Sequence, residues 1–153
     1  MSNPFLSENL NPTLANYPVR KGGAGSGRYP AGSTIQRITD LSDHAEDIGH
    51  TWAGSNLSAQ EAKEAAELHG QLARLHRYAV NRAFRSEGYH DYAHKDAAEA
   101  NAKVARVLSG LARRIANGTA TQEHFDRAER LTSDALAQTR TIIYRSRPNP
   151  RLG

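Results

Sequence analysis

Cysteine is absent from this 153-residue chain, which excludes disulfides, thiolate nucleophiles and cysteine-ligated zinc and leaves the redox compartment unread. Large side chains are scarce as well. Three Phe, one Trp, one Met and six Tyr cannot fill a thick core, so the body is expected to gain part of its stability from neighbours in an assembly. No apolar run approaches the roughly 20 residues that a membrane span needs. The first residues also lack the basic-then-apolar order of a secretory signal, so a soluble chain with no membrane partner is expected.

Acidic residues are nearly missing from the first 32 positions, where Glu8 stands alone. The same stretch carries Pro4, Pro12, Pro18 and Pro30 and five glycines after Lys21, so it has little regular hydrogen bonding to offset chain entropy. It is expected to be floppy alone and ordered on a partner. Its few large groups, Phe5, Leu6, Leu10, Leu14, Tyr17 and Tyr29, are spaced like anchors along an extended chain rather than along one helix face. The expected organisation is an extended Pro/Gly-rich arm over residues 1–32, a helical bundle over 33–146 and an extended basic tail over 147–153.

From Ser33 onward the pattern is helical. Ser33 can cap a first helix in which Ile35, Ile38, Leu41, Ala45, Ile48 and Trp52 recur at three- and four-residue spacing, ending near Gly54. Ser58-Ala59-Gln60-Glu61 fits a capping box, in which serine and glutamate side chains satisfy each other's backbone donors. The second helix then runs to about Arg85, with Ala65, Leu68, Leu72, Leu75, Ala79 and Ala83 on one stripe and Arg74, Arg77, Arg82 and Arg85 on the other side. Ser86-Glu87-Gly88-Tyr89 breaks the period. A third helix starts near Asp91, carries Ala97, Ala100 or Asn101, Val104, Val107, Leu108, Leu111 and Ile115, and stops at Asn117-Gly118. Thr119 or Thr121 caps a fourth, whose seam is Phe125, Ala128, Leu131, Ala135, Leu136, Thr139 and Ile142. Short connections imply antiparallel neighbours, so the expected fold is an all-α antiparallel bundle of three long helices plus one shorter N-terminal helix. Arg147-Pro148-Asn149-Pro150 ends it.

The net charge of +4 comes from 20 basic and 16 acidic residues, and 16 of the bases are Arg. Guanidinium forks suit carboxylates and phosphates, so an acidic protein surface and nucleic acid are the two partner classes that the charge admits. A solvated Arg-rich surface outranks nucleic-acid binding, because neither helix-turn-helix spacing nor an aromatic stacking platform is evident.

Seven histidines are present. His90 and His94 stand at i and i+4, a spacing that can place two imidazoles on one face, with Asp91 or Asp96 as an oxygen ligand. The third ligand and the glutamate of a His-Glu-x-x-His site are missing, so helix-end histidines are expected and no metal or cofactor. His69 and His76, at the edge of the helix-two stripe, are expected to flank the core with one nitrogen in water. Acid/base work by either with Glu64 or Glu67 lacks a nucleophile and an oxyanion site, so no enzyme is expected and no residue is assigned as catalytic. Gly22 to Gly27 has neither a Walker ending nor a dinucleotide-fold order, and reads as linker.

Val19-Arg20-Lys21-Gly22-Gly23-Ala24-Gly25-Ser26-Gly27-Arg28-Tyr29-Pro30 resembles the Lys-Gly-Gly-x-Gly-Ser-Gly-Arg tracts of head and morphogenesis proteins of tailed bacteriophages, especially those of high-GC hosts. The helices that follow, such as Ala65-Ala66-Glu67-Leu68-His69 and His94-Lys95-Asp96-Ala97-Ala98-Glu99-Ala100, are similar in composition to the helical regions accompanying those tracts. The resemblance implies a virion role in the phage head, assembled in the host cytoplasm, of minor capsid, cement or decoration type. In that role Phe5, Leu6, Tyr17 and Tyr29 would fill apolar pockets of the major capsid protein or another virion protein, while Arg20, Lys21 and Arg28 would pair with acidic groups. Self-association is a further expectation. Scaffolding belongs to the same class and is disfavoured by the basic balance. The alternative is a small basic nucleic-acid-binding helical protein that uses Arg74, Arg77, Arg82 and Arg85 or the C-terminal arginines.

Overall fold

A computed structural model describes residues 32–52 and 57–146. The arm residues Phe5, Leu6, Tyr17, Arg20, Lys21, Arg28 and Tyr29, and the tail from 147 onward, lie outside the described residues. The described chain is all helical, with α1 Thr34–Trp52, α2 Ala59–Glu87, α3 Tyr92–Asn117 and α4 Gln122–Arg145. α1 packs on α2, α2 on α3, α3 on α4, and α4 back on α1, which closes the four helices into a bundle.

The helix ends follow from local chemistry. The Gln36 amide donates to Ser33 Oγ at 3.2 Å, and the box at Ser58 is complete, with both reciprocal bonds to Glu61 at 3.0 Å. Gly88 and Gly118 close α2 and α3 in the left-handed region, at φ 64 and 72, where a Cβ is unfavourable. At α4 the cap is Thr121, and His124 takes the place that Glu or Gln holds in the usual box: its Nδ1 accepts from the Thr121 amide at 3.0 Å.

The core is thin. Ile38, Leu41 and Ala45 of α1, Leu68, Leu72 and Leu75 of α2, Val104, Leu108 and Leu111 of α3, and Ala128, Ala135 and Leu136 of α4 meet at its centre. Each fully buried Leu or Ile contributes about 1.5–3 kcal/mol, and the alanines let the helices approach closely. No described Phe or Tyr is fully buried. Phe125 packs half-buried against the core, while Tyr78, Phe84, Tyr89, Tyr92 and Tyr144 are each more than half exposed.

α2 and α3 are not level. His76 of α2 faces His94 of α3; eleven residues of α2 follow His76, whereas only two of α3 precede His94. α2 therefore overhangs α3 by about nine residues, or ~13 Å at 1.5 Å per residue, and Gly88 to Asp91 runs back along it. α1 has 19 residues against 29 in α2, too few to cover this spur.

The two clearest end signals are open to direct test. Ser58→Ala removes a cap, and Gly118→Ala places a Cβ at positive φ in open space, so each is expected to lower the urea unfolding free energy by about 1 kcal/mol. Because the two caps share no hydrogen-bond partner, the double variant should lose about the sum. An unchanged or raised midpoint for Gly118→Ala would contradict the left-handed turn.

Candidate functional site

Two pairs of polar side chains cross the α2–α3 seam. His69 Nδ1 meets Asn101 Oδ1 at 2.7 Å, and His76 Nδ1 meets His94 Nδ1 at 2.8 Å. Seven residues, two helical turns, separate the pairs on each helix, as antiparallel helices in one register require. Thr139 of α4 joins the layers, with its Oγ1 at 3.2 Å from Asn101 Nδ2 and 3.1 Å from His76 Nε2. His69, His76, Asn101 and Thr139 are all completely buried.

The hydrogens of this network can be assigned from its fixed points. Asn101 Nδ2 donates to the Ala97 carbonyl at 2.8 Å, so Asn101 Oδ1 faces His69 and His69 Nδ1 carries the hydrogen. The second Asn101 N–H then donates to Thr139 Oγ1, the Thr139 hydroxyl donates to His76 Nε2, and His76 Nδ1–H donates to His94 Nδ1. This set gives an acceptor to every hydrogen that lies between two of these side chains. His69 Nε2 is left as a bare acceptor, buried without a hydrogen-bond partner among the described residues.

Burial opposes charge at each ring. It holds the His69 imidazole at about 4, against the opposing effect of its hydrogen bond to Asn101, below its ordinary 6.5. Burial first, and then repulsion from His94, holds His76 at about 3. His94 is also lowered, by burial and by Arg145 against the opposing Asp91. These are neutral structural rings. The expectation that His69 and His76 keep one nitrogen in water is corrected: both lie wholly inside, because the facing helices supply side-chain partners. Glu64 and Glu67 line an outer trough instead. The paired metal reading of His90 and His94 also dissolves in geometry. His90 precedes α3 and sits between Phe84 and Tyr92, with ring centroids at 5.2 and 6.1 Å, whereas His94 turns inward to His76. Among the described residues no three or more His, Asp or Glu side chains converge as a metal site would require.

Two outer surfaces remain. The first is the spur. The Phe84–His90–Tyr92 stack, with Tyr89 beside it, adjoins a hollow of about 460 Å³ lined by Tyr89, Asp91, Tyr92, His94, Ile142 and Arg145. Tyr144, 69% exposed, lies near the end of α4. Phe84, His90 and Tyr92 are close in sequence, but they fall across a helix end, and the overhang is what stacks them.

The second is an open trough of about 1470 Å³ across α1, α2 and α3. Its floor is made of small residues, Ala66, Gly70 and Ala73 of α2 and Ala102, Ala105 and Ser109 of α3. Lys63, Arg74, Arg77 and Arg82 rise from α2, Arg106 and Arg113 from α3, and Arg37 from α1. Of the four arginines expected opposite the α2 stripe, three line this trough; Arg85 is exposed on the spur.

The buried network sets a pH dependence. The unfolded histidines bind protons near 6.5 while folded His69 and His76 stay neutral to about 4 and 3, so the stability they support is complete above 6.5 and falls as pH drops below it. Urea midpoints are expected to decline from pH 7 to pH 4, each ring adding a slope of up to about 1.4 kcal/mol per pH unit. His76→Gln should flatten part of that slope. Equal slopes for this variant and the parent chain would contradict the assignment.

Comparison with family models, with curated proteins and with solved structures gives no match.

Proposed function

We propose that the protein is a non-enzymatic structural component of a tailed-phage particle, of minor capsid, cement or decoration type, held on the major capsid protein or another virion protein. The observation that carries this reading is the placement of its aromatics. In a chain with few large apolar groups, five of the described rings are more than half exposed, and four of them (Phe84, Tyr89, Tyr92 and Tyr144) gather at one end of the bundle. Exposing them costs hydrophobic free energy in the isolated molecule. Tyr, Phe and Arg are also the residues that dominate protein interfaces.

The resemblance of the Val19–Pro30 tract to phage head proteins supplies the context, and the basic, glycine-rich leading segment suits an arm laid along a neighbouring subunit. The buried histidine relay fits a structural part. Its His69 and His76 rings are neutral and wholly inside the bundle, where they fix helix register.

Quantitative mass spectrometry of purified virions tests this directly. The chain is expected at stoichiometric abundance in mature particles; presence in infected-cell lysate alone would overturn the proposal. Two variants refine it. Deleting residues 1–32 and substituting Tyr92→Ala with Tyr144→Ala should each reduce particle association while leaving the helical circular-dichroism signal in place. Full retention of both variants on particles would leave the arm and the aromatic end without a role.

A further inference from the structure

We propose that the trough across α1, α2 and α3 is a docking groove for an acidic, small-residue-faced α-helix of a partner protein. The proposal rests on the assembly reading above and gives its partner a chemistry.

Shape comes first. Along α2 the lining runs from Gln60 to Arg82, a rise of roughly 33 Å, the length of a helix of about 22 residues. The floor residues Ala66, Gly70, Ala73, Ala102, Ala105 and Ser109 are small, and Leu75, which also lines the trough, is buried, so a fifth helix can lie close to the seam at the usual 8–10 Å interaxial distance. Such a floor has no deep apolar holes. It selects a helix whose facing side is itself small, Ala, Ser or Gly, rather than one with Leu or Phe knobs.

Charge supplies the sign. Among the described residues, seven cations line the trough against two carboxylates, Glu64 and Glu67. Six of the seven are Arg, whose planar forks bind carboxylates in pairs. The crowding is unfavourable in the free molecule: partial burial and the neighbouring Arg77 both lower the Arg74 guanidinium from its ordinary value. Carboxylates on both flanks of an incoming helix would relieve that repulsion.

Other occupants fit less well. Duplex DNA is a convex rod about 20 Å across that is read by elements inserted into its grooves, whereas this surface is concave and lies between helices. A single nucleic-acid strand stacks its bases on rings, and Tyr78 is the one ring in the lining among the described residues. The arm preceding Gly32 is basic at Arg20, Lys21 and Arg28, like the trough.

The test uses the full chain and a fluorescein-labelled 20-residue peptide of Ala and Glu, with the glutamates on the two flanks of an alanine face. A peptide of the same composition with the glutamates shuffled around the helix serves as control. Fluorescence anisotropy at fixed low salt is expected to show binding of the first peptide at least tenfold tighter than of the shuffled one. Arg77→Glu with Arg106→Glu, both exposed positions, should weaken it at least about tenfold, as loss of charge-assisted contacts does. Ala105→Leu should weaken it without changing charge, because the new side chain occupies the floor. Equal affinity for the two peptides, wild-type affinity of the charge variant with its helicity intact, or tighter binding of a 20-base-pair duplex than of the designed peptide would each overturn the proposal. Virion abundance decides the assembly reading separately, so failure here and failure there are distinguishable.

Discussion

The pairing of His69 with Asn101 and of His76 with His94 is the constraint on which the rest of the molecule depends. An alanine-rich seam between two long helices has many nearly equal registers, since small apolar side chains slide past one another at little cost. A buried pair, His69 with Asn101, and a part-buried pair, His76 with His94, two turns apart on both helices and tied together by Thr139, leave one register satisfied. A slip by one residue would strand several buried donors and acceptors, at about 1–3 kcal/mol each. The network therefore contributes specificity more than raw stability, as buried polar groups do when they fix helix register.

That register has an outward consequence. Because His76 faces a residue only two positions into α3, the end of α2 must project, and Phe84, His90 and Tyr92 collect on the projection. The inner seam thus builds the outer surface. The same alanines that allow close helix packing leave little room for phenyl rings inside, so Tyr78, Phe84, Tyr89, Tyr92 and Tyr144 sit where another molecule can cover them. A thin core, a polar register lock and an aromatic end are three aspects of one composition.

Much of the bundle was legible in the sequence because helix ends are local. Ser58 with Glu61, Gly88, Asp91, Asn117-Gly118 and Thr121 each announce a boundary through chemistry within four residues, and the apolar periods place the core stripes of all four helices. What could not be read depends on how two helices meet. The seven-residue step from His69 to His76 was visible, and so was the same step from His94 to Asn101, yet only the register makes them partners. A buried histidine and a wet one share the same helix position in sequence until the facing residue is known. The spur was hidden for the same reason: a short connection at Gly88 to Asp91 suggests level helices, whereas those residues run back along α2. The stripe of arginines on α2 was legible, but not the small-residue floor beside it, which needs α3.

The most direct measurement of this account is nitrogen-15 NMR of the imidazole rings in the folded protein near pH 6. If the relay holds the register, His69 and His76 give neutral-ring shifts with a fixed tautomer, protonated at Nδ1, and remain neutral as the pH passes 6.5 downward. Rings that titrate near 6.5 with averaged, exchanging tautomers would place both histidines in water and remove the lock from the seam.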